Sequence, residues 1–239
     1  MSSLGRPSAP AAAAVGSRGV TPPGGRERRL AAVARWPVFA GAAAGFVLLG
    51  LCVRLGLLDG PDRRVFELGR PQDVWGPAQM RSVHVVDGLQ PRVVALLLAA
   101  FTLVVCLARR SPRPAVLTGS AGLVAAAATV LTKIALARPD PHDSMSSHGG
   151  SFPSGHTVGV VVCVGLAVFL LRPGAPWWGV LVSVALGVVM GTALVVEGAH
   201  WASDVAGGLL LGVAVLAAVR ASGFATWAAV PGSQGARAG

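Results

Sequence analysis

The stretch PSGHTVGVVVCVGLAVFLL, residues 153–171, decides the fold. From 157 to 171 it holds no charged residue and no proline, and directly before that run stand Pro153, Ser154, Gly155 and His156. An uninterrupted apolar helix opened by small, polar capping residues reads as a membrane helix that starts at the water boundary. A second segment of the same kind, His200-Trp201-Ala202-Ser203-Asp204, opens the last long apolar run. Both histidines therefore fall at helix ends beside water, where a pair of imidazoles suggests chemistry on a phosphate.

Working outward, the chain has 239 residues, of which 53% are hydrophobic and only 13% charged. Average soluble proteins carry roughly 25% charged residues, so a soluble domain is excluded as the main body. Six apolar runs are long enough to approach a hydrocarbon core of about 30 Å: 36–58, 92–108, 115–137, 157–171, 177–196 and 201–221. The predicted fold is all-α, a polytopic six-transmembrane-helix bundle over 36–222. Residues 1–35, rich in Arg, Pro, Gly and Ala without a periodic apolar face, are expected to form a disordered cytoplasmic tail. Residues 223–239 are expected to be a flexible C-terminal tail. The 36–58 run is longer than the apolar part of a cleaved leader and is kept as an anchor helix.

Orientation follows from the excess of Lys and Arg in cytoplasmic loops. With the N-terminus cytoplasmic, the inner side receives Arg6, Arg18, Arg26, Arg28, Arg29, Arg35, Arg109, Arg110, Arg113, Arg172, Arg220 and Arg237, and the only acid there is Glu27. The expected location is the plasma membrane, with both termini cytoplasmic and the histidines His84, His142, His148, His156 and His200 all on the extracytoplasmic side. A net charge of +10 raises the question of nucleic acid. The surplus sits in the tail and short inner loops, where anionic lipid headgroups account for it. No nucleic-acid partner is expected.

Cys52, Cys106 and Cys163 lie in separate predicted helices without a C-x-x-C spacing and read as small buried hydrophobes. Gly41-x-x-x-Gly45, Gly187-x-x-x-Gly191 and Gly208-x-x-x-Gly212 are patterns for close helix packing.

Four groups on the outer side carry candidate chemistry. Lys133 is the only lysine, near the outer end of an Ala/Val/Leu helix. Ionisable groups within membrane helices are costly and are usually functional, although a lysine can also snorkel to the interface. Arg138 follows at the start of the next loop, roughly 7–8 Å further along a helix axis, so that two cations could converge on one anion. An arginine there is equally a plain interfacial anchor. Pro153-Ser154-Gly155-His156 offers free N–H groups at a helix N-terminus, a hydroxyl and an imidazole, and serves equally as an ordinary cap. His200 and Asp204 share one helix face at a spacing of four, which lets the carboxylate fix the imidazole tautomer.

Taken in order, Lys133, Arg138-Pro139, Phe152-Pro153-Ser154-Gly155-His156 and Gly198-Ala199-His200-Trp201-Ala202-Ser203-Asp204 resemble the type 2 phosphatidic acid phosphatase superfamily. That family also includes bacterial non-specific acid phosphatases and vanadium haloperoxidases. The resemblance implies a lipid phosphate substrate, no metal and no cofactor. It also implies roles: His200 as nucleophile forming a phosphohistidine, Asp204 as its orienting partner, and His156 as the acid for the leaving oxygen. Lys133, Ser154 and the Gly155 amide would hold phosphate oxygens, with Arg138 as a further phosphate ligand.

Two positions depart from the family pattern. The family's first motif usually has six residues between its lysine and an Arg-Pro pair, a spacing that lands on Asp140-Pro141 with Arg138-Pro139 two residues early, and six residues before His200, where an arginine is usual, stands Leu194. An outer arginine such as Arg63, Arg64, Arg70 or Arg81 is a candidate substitute. Two other readings stay open: a non-hydrolytic phospholipid-binding or scaffold protein on the same fold, and a metal site drawn from His142, His148, His156, His200 and Asp143.

Overall fold

Proline sets where several helices begin. Pro37, Pro77 and Pro91 stand at first helical positions and Pro114 at a second, where the missing N–H removes a donor that has no intrahelical acceptor anyway. The computed structural model describes residues 36–145, 149–174 and 178–231. The elements in chain order are α1 (Pro37–Arg54), α2 (Asp59–Gly69), a 3-10 turn (Pro71–Asp73), α3 (Pro77–Gly88), α4 (Pro91–Arg109), α5 (Arg113–Leu136), α6 (Gly155–Leu171), α7 (Trp178–Glu197), α8 (Ala202–Ala221) and α9 (Phe224–Ala229). Among the described residues there is no extended strand. The predicted tail at 1–35, His148 and Trp177 lie outside the described residues.

Among the described residues five helical stretches are long and apolar enough to cross a membrane, and α6, with 17 residues, is a shorter apolar helix. At 1.5 Å per residue α6 is about 26 Å long, somewhat less than a hydrocarbon core of about 30 Å. The approach to it, 150–154, is itself buried. Large side chains such as Leu48, Leu97, Val104, Leu123 and Leu131 face outward, as lipid-facing surfaces do.

α6 and α8 form the centre. The largest cluster of buried side chains joins Leu117, Ala121 and Ala125 of α5, Val158, Val161, Leu166 and Phe169 of α6, and Leu211, Val215 and Leu216 of α8. Lipid tails are as apolar as leucine, so such helices associate through close packing and small residues rather than through water exclusion. Two of the three glycine pairs do this directly. A methyl group on Gly187 would lie 2.5 Å from Val161 Cγ2, and one on Gly212 would lie 2.7 Å from Val161 Cγ1, while Gly191 packs tightly on Val205. Gly45 lies against Leu210 of α8, and Gly41 faces open space.

Two features differ from the sequence expectation. The segment between α1 and α4, read as an outer loop, contains α2 and α3, with α3 laid against α7. The start of the presumed C-terminal tail is α9, whose Ala225 and Ala228 are buried against the bundle. In both cases short or polar helices depend on tertiary contacts that hydropathy does not register.

Candidate active site

The site is built where α5, α6 and α8 present their ends together. Chain alternation puts the C-terminus of α5 and the N-termini of α6 and α8 on one side of the bundle. The linking segment folds back onto the end of α5: Gly150 N–H donates to Lys133 O at 3.1 Å, and Ser151 N–H donates to Arg138 O. Ser154 N–H then donates to Asp204 O at 2.9 Å, which fastens the start of α6 to the first turn of α8. Phe152, fully buried, stacks on Phe46 at 5.7 Å and presses on Gly207, where a Cβ would lie 2.5 Å from its ring. These contacts fix Pro153 to His156 against α8.

His156 and His200 come from these two starts and face each other with ring centroids 6.5 Å apart at 66°. That gap is too wide for a direct hydrogen bond between the rings and suits one tetrahedral anion between them. His200 Nδ1 lies 3.3 Å from Asp204 Oδ2. A carboxylate only accepts, so Nδ1 carries the proton and Nε2 keeps its lone pair. The same Oδ2 accepts the Trp201 N–H at 3.1 Å. Gly198, with φ at +82°, makes the turn from α7 into this segment, and a side chain there would crowd Phe66, Arg70 and His142.

Lys133 is buried and its Nζ donates to Gly150 O at 2.7 Å and Ser151 O at 3.0 Å. An ammonium has three N–H groups, so one remains. Ser154 is fully buried and caps α6, its Oγ accepting from Thr157 N–H at 3.4 Å and from Thr157 Oγ1 at 3.1 Å. Its own hydroxyl proton is left to donate.

Arg138, a candidate phosphate ligand from its position after Lys133, contacts protein side chains. Its Nη1 donates to Asp204 Oδ1 at 3.1 Å and to Ser203 Oγ at 2.7 Å, and its Nη2 faces Asp62 Oδ2 at 2.8 Å and Asp59 Oδ1 at 3.4 Å. The guanidinium also lies over the Trp201 ring, 5.3 Å from its centroid. Asp62 has no place in the sequence motifs, and Phe152 and Ser203 stand in them without a role of their own. The one local sign available was the Phe-Pro-Ser order at 152–154, which marks an anchored turn.

The two departures have clear settings. Leu194 is buried with Val86, Val94, Val160 and Met190, so the position belongs to an apolar core. Asp140 Oδ1 accepts from the N–H groups of His142 and Ser144 at 2.9 Å, closing a turn. Of the arginines expected as substitutes, Arg81 donates to Pro77 O on its own helix, and Arg70 donates to Glu197 O at 2.9 Å while pairing with Asp73. Arg63 lines a cavity of ≈ 350 Å³ that includes Arg138 and Trp201 but neither histidine. His142 lies 3.3 Å from both Asp73 Oδ1 and Arg70 Nη1. Among the described residues no three His, Cys, Asp or Glu side chains are grouped to hold a metal.

The fold is similar to the crystal structure of the first transmembrane PAP2 type phosphatidylglycerolphosphate phosphatase from Bacillus subtilis, with a TM-score of 0.62 over 76% of this chain and 94% of that one, at 16% identity. No curated protein matches the sequence. The sequence profile of the PAP2 superfamily matches residues 93–227, more than half of the chain and the whole of the segment that carries Lys133, His156, His200 and Asp204. The chain belongs to the PAP2 superfamily.

Proposed function

We propose that this protein is an integral membrane phosphatase that hydrolyses a lipid phosphate or diphosphate monoester at the extracytoplasmic face. The observation that carries the reading is the His156–His200 pair, 6.5 Å apart, with Asp204 behind His200. His200 Nε2 attacks phosphorus and forms an N–P bond as the P–O bond to the lipid breaks. His156, which takes up a proton when the phosphate anion binds beside it, gives that proton to the departing oxygen. Asp204 stabilises the positive charge that develops on His200. In the second step His156 takes a proton from water, whose oxygen attacks the phosphohistidine, and inorganic phosphate leaves with His200 restored.

Lys133, Ser154 and the Gly155 N–H hold the phosphate oxygens in this reading, each with a donor not used elsewhere. Arg138, with both terminal nitrogens on carboxylates, orients Asp204 instead of contacting phosphate. The outward orientation is supported by the far end of the bundle, where Arg109, Arg110, Arg113, Arg172 and Arg220 collect. No metal or cofactor has a role. The domain reading is one membrane body that begins at 36 and takes in α9 at Phe224–Ala229.

The test is phosphate release by purified protein in detergent from phosphatidate, phosphatidylglycerol phosphate and polyprenyl diphosphate. We expect His200→Ala to lower release on the responsive substrate by about 10³-fold or more, the scale of losing a nucleophile. Equal release by parent and variant would refute the assignment. Leu194 and Asp140, where relatives are expected to carry arginine, support a second reading, a phospholipid-binding protein without turnover. Binding of a phosphate lipid with no phosphohistidine trapped on rapid quenching would establish it.

A further inference from the structure

Asp62 belongs to α2, outside the six membrane helices, among the exposed residues Arg63, Arg64 and Val65, and yet it is only 4% exposed. Its Oδ1 accepts the backbone N–H of Ser203 at 2.9 Å. Its Oδ2 accepts from Arg138 Nη2 at 2.8 Å and from the Ser203 hydroxyl. Arg138 therefore lies between two buried carboxylates, Asp62 on one side and Asp204 on the other. It gives each of them one terminal nitrogen.

That division has a consequence for Asp204. Guanidinium and carboxylate prefer a bidentate fork in which both nitrogens meet both oxygens. Asp204 Oδ1 meets Arg138, while Oδ2 is kept for His200 Nδ1 and the Trp201 N–H. If Asp62 did not hold Nη2, Arg138 could turn both nitrogens onto Asp204 and draw Oδ2 away from the imidazole.

We propose that Asp62 is a positioning residue for the phosphatase reaction: by restraining Arg138 it reserves one oxygen of Asp204 for His200 and so fixes the tautomer and orientation of the nucleophile. The proposal rests on the phosphohistidine reading. It extends the working site to a helix that lies outside the membrane bundle and outside the region matched to the family. Asp62 touches neither substrate nor the reacting atoms.

The experiment compares parent, Asp62→Asn, Arg138→Gln and the double variant as full chains in detergent. Asparagine keeps the size of Asp62 and removes its charge. We expect Asp62→Asn to lower kcat and the rate constant of phosphohistidine formation roughly 10–100-fold, the scale of losing an outer partner of a functional histidine. KM should move less than about two-fold, and the amount of phosphohistidine trapped per protein should stay the same. In the Arg138→Gln background the same change should have little further effect, because the restrained group is gone. An unchanged kcat, or a fall in trapped amount at an unchanged rate constant, would overturn the proposal by reducing Asp62 to a fold stabiliser. If Asp62→Asn does not fold, Asp62→Glu, which keeps the charge and displaces the carboxylate, takes its place in the same comparison, and an unchanged kcat for it overturns the proposal in the same way.

A second readout needs no turnover. Diethyl pyrocarbonate modifies neutral imidazole nitrogens, and mass spectrometry gives the rate at His200 relative to His156 in the same molecule. Asp62→Asn should change that ratio several-fold, and an unchanged ratio counts against the proposal. If the parent forms no phosphohistidine but Asp62→Asn still shifts the ratio relative to the parent, the phosphatase reading is defeated and the positioning of His200 by Asp62 stands.

Discussion

At the end of the bundle away from the histidines, Arg109 of α4 donates to the carbonyls of Leu170 at 2.6 Å and Ala228 at 3.4 Å, and Arg113 lies 5.3 Å from the Trp227 ring centroid. At the histidine end Arg138 faces side-chain oxygens of Asp62, Asp204, Ser203 and Asp59. The residue type is the same and the acceptors are not. Carbonyls of a helix C-terminus are neutral and can be satisfied by water or lipid headgroups if the arginine leaves. Two buried carboxylates have no such recourse. The first arrangement anchors helices to one another, whereas the second fixes charged groups relative to a reactive ring.

The sharpest way to break this contrast is Arg138→Met, which keeps much of the side-chain volume but removes the guanidinium that lies between the buried carboxylates of Asp62 and Asp204. Removing one member of a buried ion pair costs about 3–5 kcal/mol. We expect a loss of that size in unfolding in detergent, together with a loss of phosphate release. A variant as stable as the parent would mean that the carboxylates are not charged against Arg138, and the distinction between the two ends would fall.

Next in size is Gly208→Ala. A Cβ there would lie 2.8 Å from Ser154 O and 2.9 Å from Thr157 Cβ, and the first of these is main chain that cannot swing aside. Overpacking of this kind costs about 1–3 kcal/mol. It also moves the start of α6 from α8, and so His156 from His200. A misplacement of about 1 Å at reacting groups can cost roughly 10²-fold in rate. Activity should therefore fall further than stability, read as kcat against the midpoint of thermal unfolding. Equal loss in both would mean that the histidine separation is not set by this contact.

How far the sequence led is visible in the same two regions. The runs at 157–171 and 201–221 correspond to α6 at Gly155–Leu171 and α8 at Ala202–Ala221, because hydropathy is a local property that a single helix displays by itself. The pairing of His156 with His200 was also legible, since two helix starts on the same side leave few places to go. Asp62 was not. In the run Asp59-Gly60-Pro61-Asp62-Arg63-Arg64 it looks like any solvated acid, and its burial is created by Ser203, a residue 141 positions away. Arg138 was ambiguous for the reverse reason. A guanidinium near an expected phosphate pocket can serve the anion or the carboxylates around it, and nothing local in the sequence places Asp62 and Asp204 beside it.

The smallest expected effect completes the comparison. Arg109→Met removes donors to two carbonyls at the histidine-free end, and a typical hydrogen bond contributes about 0.5–1.5 kcal/mol net. The Leu170 carbonyl lies in the last turn of α6, where a cation also meets the negative end of the helix dipole, a further few tenths to about 1 kcal/mol before screening. Headgroups and water recover part of both, so we expect a total near 1 kcal/mol in unfolding. The histidine pair lies at the other end of α6, a helix about 26 Å long, and nothing in the contacts of Arg109 reaches Asp204 or the loop at 150–154. Phosphate release should be unchanged within about two-fold. A large fall in kcat for this variant, with stability nearly intact, would show that α6 transmits a shift along its length and that its two ends cannot be treated as separate regions.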